Sequence, residues 1–222
     1  HKLTFTITGA SDTGGLNISE ASESGRVDPD SIGDLELSTR FDQQGLSWQY
    51  YGENENNIHL NLSHMTEETN EKYGQAQFIN IDEEQFSLRF QYQINLFSNN
   101  KTILGTDVEK SEATYRYDVI PYYCTDHDAD CESKKGDRVQ DSDKLDSTDI
   151  AFYINNIWQF HSDFSLDLGL RAERNSYTEQ SFVHPRAALN WFATDGLVFK
   201  AKAGTYSRFP DIDTVLRKIG NP

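Results

Sequence analysis

The stretch Phe86-Ser87-Leu88-Arg89-Phe90-Gln91-Tyr92-Gln93-Ile94-Asn95-Leu96 alternates apolar and polar residues without an error. A helix would repeat its apolar residues every three or four positions. Only an extended strand sends successive side chains to opposite faces, so this stretch has one apolar face and one polar face. The pattern recurs along the chain. Phe164, Leu166, Leu168, Leu170 and Ala172 alternate with Ser165, Asp167, Gly169, Arg171 and Glu173. Ile58, Leu60 and Leu62 do the same near the first quarter, Leu3, Phe5 and Ile7 at the start, and Ala187, Leu189 and Trp191 followed by Leu197, Phe199, Ala201 and Ala203 towards the end. About nine antiparallel strands account for the alternation.

Two features of these strands separate a membrane barrel from a soluble sandwich. Stretches 76–97 and 101–119 exceed the roughly 9–11 residues that cross the hydrocarbon layer, as strands that continue into solvent would. The connections also sort by length. Short polar turns fall at 52–56, 98–100, 161–163 and 193–196, and longer linkers at about 10–34, 66–75, 121–147 and 175–182. Short turns on one side and long loops on the other are the asymmetry of outer-membrane barrels. Nine is an odd count where bacterial barrels are even, which implies a piece of a larger barrel. The abrupt close at Gly220-Asn221-Pro222 also suggests a fragment, for which a missing leader is uninformative. An isolated arc leaves two open edges, so self-association of the isolated chain is expected. The alternative is a soluble extracellular β-sandwich, a binding or adhesion module that buries the same apolar faces against its own second sheet.

The chain has 222 residues and a formal net charge of -16, with 36% hydrophobic and 12% aromatic residues. That acidity repels nucleic acid and argues against a nucleic-acid partner. No apolar run approaches the roughly 18 residues of a membrane-spanning helix, which does not argue against strands that cross. Trp48, Tyr50 and Tyr51, then Trp158 and Phe160, then Trp191 and Phe192 cluster near strand ends, where interface girdles form.

Candidate chemistry concentrates in the acidic loop 121–147. Cys124 and Cys131 are close enough to close one small loop, as a disulfide in an exported compartment and as two thiols otherwise. Asp126, Asp128 and Asp130 stand at positions one, three and five of a calcium-type loop, with Asp137 at position twelve. Cys131 replaces the usual Gly at position six, and Asp137 the longer Glu; a solvated acidic loop is the alternative reading. His127 among acids is of transition-metal type. No Gly-x-Ser-x-Gly, phosphate loop or His-Glu-x-x-His is present, and Glu67-Glu68 and Glu83-Glu84, placed near loop–strand junctions, point to opposite faces. An enzyme is not expected.

Residues 150–215 carry a family resemblance. Ile150-Ala151-Phe152-Tyr153-Ile154-Asn155-Asn156-Ile157-Trp158, the turn His161-Ser162-Asp163, Leu166-Asp167-Leu168-Gly169-Leu170-Arg171, His184-Pro185-Arg186-Ala187-Ala188-Leu189-Asn190-Trp191, Thr194-Asp195-Gly196-Leu197 and Gly204-Thr205-Tyr206-Ser207-Arg208-Phe209-Pro210-Asp211 resemble, in order and spacing, the barrel of TonB-dependent outer-membrane receptors. The resemblance implies an all-β fold: an antiparallel transmembrane barrel segment, residues 1–222, from a plugged barrel of about 22 strands. It implies a bacterial outer-membrane location in contact with lipid. It also implies uptake of a scarce nutrient such as an iron chelate or siderophore, driven by the TonB complex through a plug that is missing here, as are the C-terminal strands. Arg89, Gln91, Gln93, Arg171, Arg186, Lys200 and Lys202 would then line the lumen. Loops 10–34 and 121–147 would face the ligand.

Overall fold

A computed structural model describes residues 1–27, 29–52, 56–74, 76–120, 122–123 and 134–209. Its strands are β1 (Lys2–Ile18), β2 (Gly33–Tyr51), β3 (Asn57–Tyr73), β4 (Gln77–Ile94), β5 (Asn100–Val119), β6 (Tyr122–Tyr123), β7 (Lys134–Lys135), β8 (Val139–His161), β9 (Phe164–Asn175), β10 (Ser181–Thr194) and β11 (Leu197–Gly204). Nine of these form one sheet in the order β1-β2-β3-β4-β5-β8-β9-β10-β11, each antiparallel to its neighbours. β6 and β7 make a two-residue ribbon, and a short helix α1 (Glu23–Val27) lies between β1 and β2.

The sheet is a single layer, and a sandwich is excluded on that ground among the described residues. Leu3, Phe5 and Ile7 remain 64–70% exposed, and Phe152 63%, because no second sheet covers their face. The register places apolar side chains in continuous rows: Leu62 beside Leu88, Leu88 beside Val108, Val108 beside Ile150. A face of this kind, made of whole rows across many strands, has lipid as its natural solvent. The short turns at one end slip by about one residue per strand from hairpin to hairpin. With a rise of about 3.3 Å per residue and about 4.8 Å between strands, that slip tilts the strands by roughly 35°, within the range of closed barrels.

At the short-turn end an aromatic ladder runs along the lower rim. Phe97, Trp158, Phe160, Phe164, Trp191 and Phe199 follow one another at ring-centroid distances of 5.2–6.1 Å. Trp and Tyr sit at this depth because their rings are apolar and their N–H or O–H reaches water.

Further up the strands the apolar residues change faces. Ala113, Tyr115, Tyr117 and Val119 are buried on the inner face and pack with Ile79, Ile81, Val139 and Leu145. Outside, at that height, stand Glu84, Glu112, Arg116 and Lys144, with Arg40–Asp42 and Lys72–Glu36 ion pairs at 3.0 and 2.8 Å. The strand keeps its pleat while the sequence inverts its pattern. This is what a wall does where its outer surface passes from lipid to water.

The structure corrects several boundaries. The segment read as linker 66–75 is strand: β3 runs to Tyr73 and turns into β4 within three residues. The linker 10–34 shrinks because β1 continues to Ile18, and 121–147 shrinks because β8 begins at Val139. Glu67-Glu68 and Glu83-Glu84 are mid-strand, not at junctions. Above the switch neither face needs an unbroken apolar row, so these stretches carry no simple alternation. Their strands are held by ladder hydrogen bonds to both neighbours. The length asymmetry therefore rests on two long connections, 19–32 and 120–138; the other two at that end are as short as the opposite turns.

Gly105 shows how tightly the inner face packs. A Cβ there would fall inside the Tyr153 ring, which lies across β5 and brings its hydroxyl to Gln91 on β4, whose Nε2 donates at 2.7 Å. Gly105→Ala is expected to expel the ring, break that bond and lower the unfolding free energy by about 1–3 kcal/mol, measured by denaturant titration of the full-length receptor in detergent. Unchanged stability would show that the ring has another place to go.

Candidate functional site

The inner face carries polar and charged side chains behind the apolar band as well as above it. Its lower half, within the apolar band, is basic. Arg89 on β4, Arg171 on β9, Arg186 on β10 and Lys202 on β11 line one cavity of about 450 Å³ together with Asp107 and Asp167. Arg89, Gln91, Arg171, Arg186 and Lys202 thus stand where the alternation placed them. Gln93 and Lys200 share their rows, Gln93 two residues along from Gln91 and Lys200 two from Lys202.

A chain of charged hydrogen bonds crosses this face. Asp107 accepts from Arg89 Nε at 2.8 Å and from Arg171 at 2.8 Å. Arg171 Nε donates to Glu173 at 2.8 Å, and His184 Nε2 lies 3.0 Å from the other Glu173 oxygen. Ser207, just beyond β11, places its Oγ 2.8 Å from the same His184 Nε2. A serine, a histidine and a glutamate in contact suggest a relay. Here, however, serine and carboxylate meet the same ring nitrogen, while Nδ1 is buried with no hydrogen-bond partner. A hydrolytic triad has one partner on each nitrogen, which this arrangement does not; the contacts tie segment 205–209 to the wall. Tyr206 adds a further contact beneath Arg186, 4.8 Å from ring to guanidinium.

The upper half is acidic. A cavity of about 520 Å³ is lined by Glu83, Glu109, Asp149 and Glu173, with Arg89 and Arg171 at its lower rim and Arg208 from the segment after β11. The register sets Glu67 directly opposite Glu83 and Glu109 directly opposite Asp149. The sequence reading missed both pairs, because their members are far apart in the chain. Equal parity within two strands of known register is the signal that would have found them.

Of the calcium-type set, only Asp137 lies within the described residues, and it is exposed. Asp126, Asp128, Asp130, His127, Cys124 and Cys131 lie outside them. Among the described residues no group of three or more His, Cys, Asp or Glu is placed to hold a metal ion.

At the top of β5, Asp118 accepts a hydrogen bond from Arg138, which holds its carboxyl below the usual carboxylate range, against the opposing effect of burial. The folded pKa is the lower one. The pair's contribution is therefore complete above the unfolded value of about 3.9 and is lost as pH falls through the folded value. Proteolytic nicking after β5 in outer-membrane preparations is expected to stay level from neutral pH to about 4 and to rise below it. Arg138→Ala is expected to raise nicking at neutral pH and to remove the acid dependence. An unchanged acid profile in that variant would refute the pairing.

The fold has close counterparts among solved structures. The ferric citrate transporter FecA, in its unliganded form, matches with a TM-score of 0.59 at 12% identity over 91% of this chain and 33% of its own. The ferric-catecholate import receptor Fiu from E. coli K12 matches with a TM-score of 0.53 at 9% identity over 77% and 30%. The outer membrane transporter YddB from Escherichia coli matches with a TM-score of 0.51 at 16% identity over 86% and 27%. At these identities the likeness is one of fold, and the chain spans about a third of the length of those proteins. No curated protein sequence matches it. The family model described as "TonB dependent receptor-like, beta-barrel" matches residues 2–222. With its lipid-facing rows, tilted antiparallel strands and charged inner face, the chain belongs to the β-barrel family of TonB-dependent receptors, proteins of the bacterial outer membrane.

Proposed function

We propose that this chain is part of the barrel wall of a receptor that takes up a scarce nutrient, such as an iron chelate, across the outer membrane, energised by TonB acting on a plug domain of the full-length protein. The observation that carries the reading is the inner face. It presents a continuous charged and hydrogen-bonding surface behind an apolar outer band, and such a surface suits a water-filled or plugged lumen. The role is binding and gated passage, without catalysis; the geometry at His184 supports that assignment.

The test is genetic. Deleting the full-length gene is expected to abolish energy-dependent uptake of one iron chelate and growth on it under iron limitation. A plasmid copy is expected to restore both. Undiminished uptake of every chelate tried would sink iron as the cargo.

A further inference from the structure

We propose that the short β3–β4 turn is a coupler that makes the two long connections at its end of the wall, 19–32 and 120–138, loosen and tighten together. The inference concerns motion and stands apart from the identity of the cargo.

The bridge is the side chain of Gln77, the first residue of β4. Its Oε1 accepts from the Ile120 N–H at 2.7 Å, where the second connection leaves β5. Its Nε2 donates to the Asp30 carbonyl at 3.3 Å, near the end of the first connection. These partners lie 43 and 47 positions away along the chain. A primary amide suits the place because one planar group carries both an acceptor and a donor. The Ile120 N–H can only donate and the Asp30 carbonyl can only accept, so the amide fits one way round.

Further contacts load the same turn from both sides. Arg138, where the second connection enters β8, donates through Nη2 to the Ala76 carbonyl at 3.0 Å and through Nε to Asp118 at the top of β5. From the first connection, the Asp30 carbonyl oxygen stands so close to Gly74 that a Cβ there would collide with it. Gly74 and Ala76 both hold positive φ, 52 and 65. Left-handed backbone at an alanine persists only where its surroundings over-determine it. Here the contacts that hold it come from both connections, so release of either lets the turn relax and frees the other. The first connection is itself held together locally: Ser22 Oγ donates to the Ser19 carbonyl at 2.6 Å and accepts from the Gly25 N–H at 3.0 Å. Contact of a ligand with one connection then orders both, and the entropy of ordering is lost once for the pair.

A double-mutant cycle read by amide hydrogen exchange tests the coupling and needs no ligand. The protein is the full-length receptor in detergent, with exchange followed in peptides that cover 19–32 and the β6–β7 ribbon. Ser22→Ala weakens the first connection locally, and Arg138→Ala the second. Each is expected to speed exchange about five-fold in its own connection, the order set by one hydrogen bond, and about two-fold in the other. Gln77→Met keeps the length of the side chain without its polar atoms. It is expected to speed exchange in both connections at once and to abolish the crossed effects of the other two variants. Crossed effects that are absent in the parent, or undiminished in the Gln77→Met background, overturn the inference. Should Ser22→Ala or Arg138→Ala assemble poorly, Gln77→Glu serves in their place, since it keeps the acceptor for Ile120 and loses the donor to Asp30. Faster exchange in both connections of that variant upholds the coupling, and a rise confined to 19–32 overturns it.

Discussion

Ile154→Arg is expected to destabilise the receptor by about 2–4 kcal/mol, while Asn155→Arg, one residue along, is expected to stay within about 1 kcal/mol of the parent. Ile154 stands on the apolar face between Leu104 and Leu170, midway between the Trp158 rim and Ile150. A guanidinium there is held at the depth where no water reaches it. Asn155 faces the lumen beside Asp167 and Arg186, in a cavity already built for charge. Denaturant titration of both variants, with heat-modifiability on gels as the sign of a closed barrel, separates the two readings. Equal costs for both positions would mean that the wall is inverted or solvated on both sides. Such an outcome would reject the lipid-facing assignment for the whole of β8 and, through the register, for its neighbours.

The second large effect is expected at Gly74. The β3–β4 turn places Gly74 at φ +52 and Gly33, at the start of β2, at φ +127. The two glycines meet back to back: a Cβ on Gly33 would stand 3.0 Å from the Gly74 carbonyl carbon, and one on Gly74 would strike the Asp30 carbonyl oxygen. Both obstacles are backbone, so neither can swing aside. A β-branched side chain adds the left-handed penalty to the overpacking, and Gly74→Val is expected to cost about 2–4 kcal/mol. Gly14→Ala, where a Cβ meets nothing within 4 Å, is the matched control and is expected to change little. Comparable loss in both variants would show that any glycine replacement in these strands is harmful, and would remove the special role of this contact.

Which parts of this fold could be read without coordinates follows from what each strand touches. Phe86–Leu96 announced itself because, in the membrane, one face of β4 must be apolar on every second residue and the other face must be polar. Thr66–Glu71 looked like a loop because it lies above the switch, where water on the outside removes that requirement. The lumen residues Arg89, Arg171, Arg186 and Lys202 followed from parity alone. The partnerships among them did not. Asp107 bridges two arginines from strands 18 and 64 residues away, and only the register reveals such a meeting. Nothing in the sequence around His184 announces its contacts with Glu173 and Ser207. Pairs such as Glu109 and Asp149, 40 positions apart, likewise come together only through the register.

The two-residue repeat also governs how this wall can vary in length. One residue added or removed inside a strand swings every side chain beyond it to the opposite face. In β9 such a change would carry Arg171 into lipid and Leu170 into the lumen. Length can therefore drift freely in the connections 19–32 and 120–138, while within the paired spans of β3, β4, β5 and β8 it is quantised in twos. Even then, each neighbour must slip in concert to keep its cross-strand partners. A wall of this kind diverges by substitution and by loop growth and keeps its phase, which is how chains about a tenth identical in sequence can still share one fold.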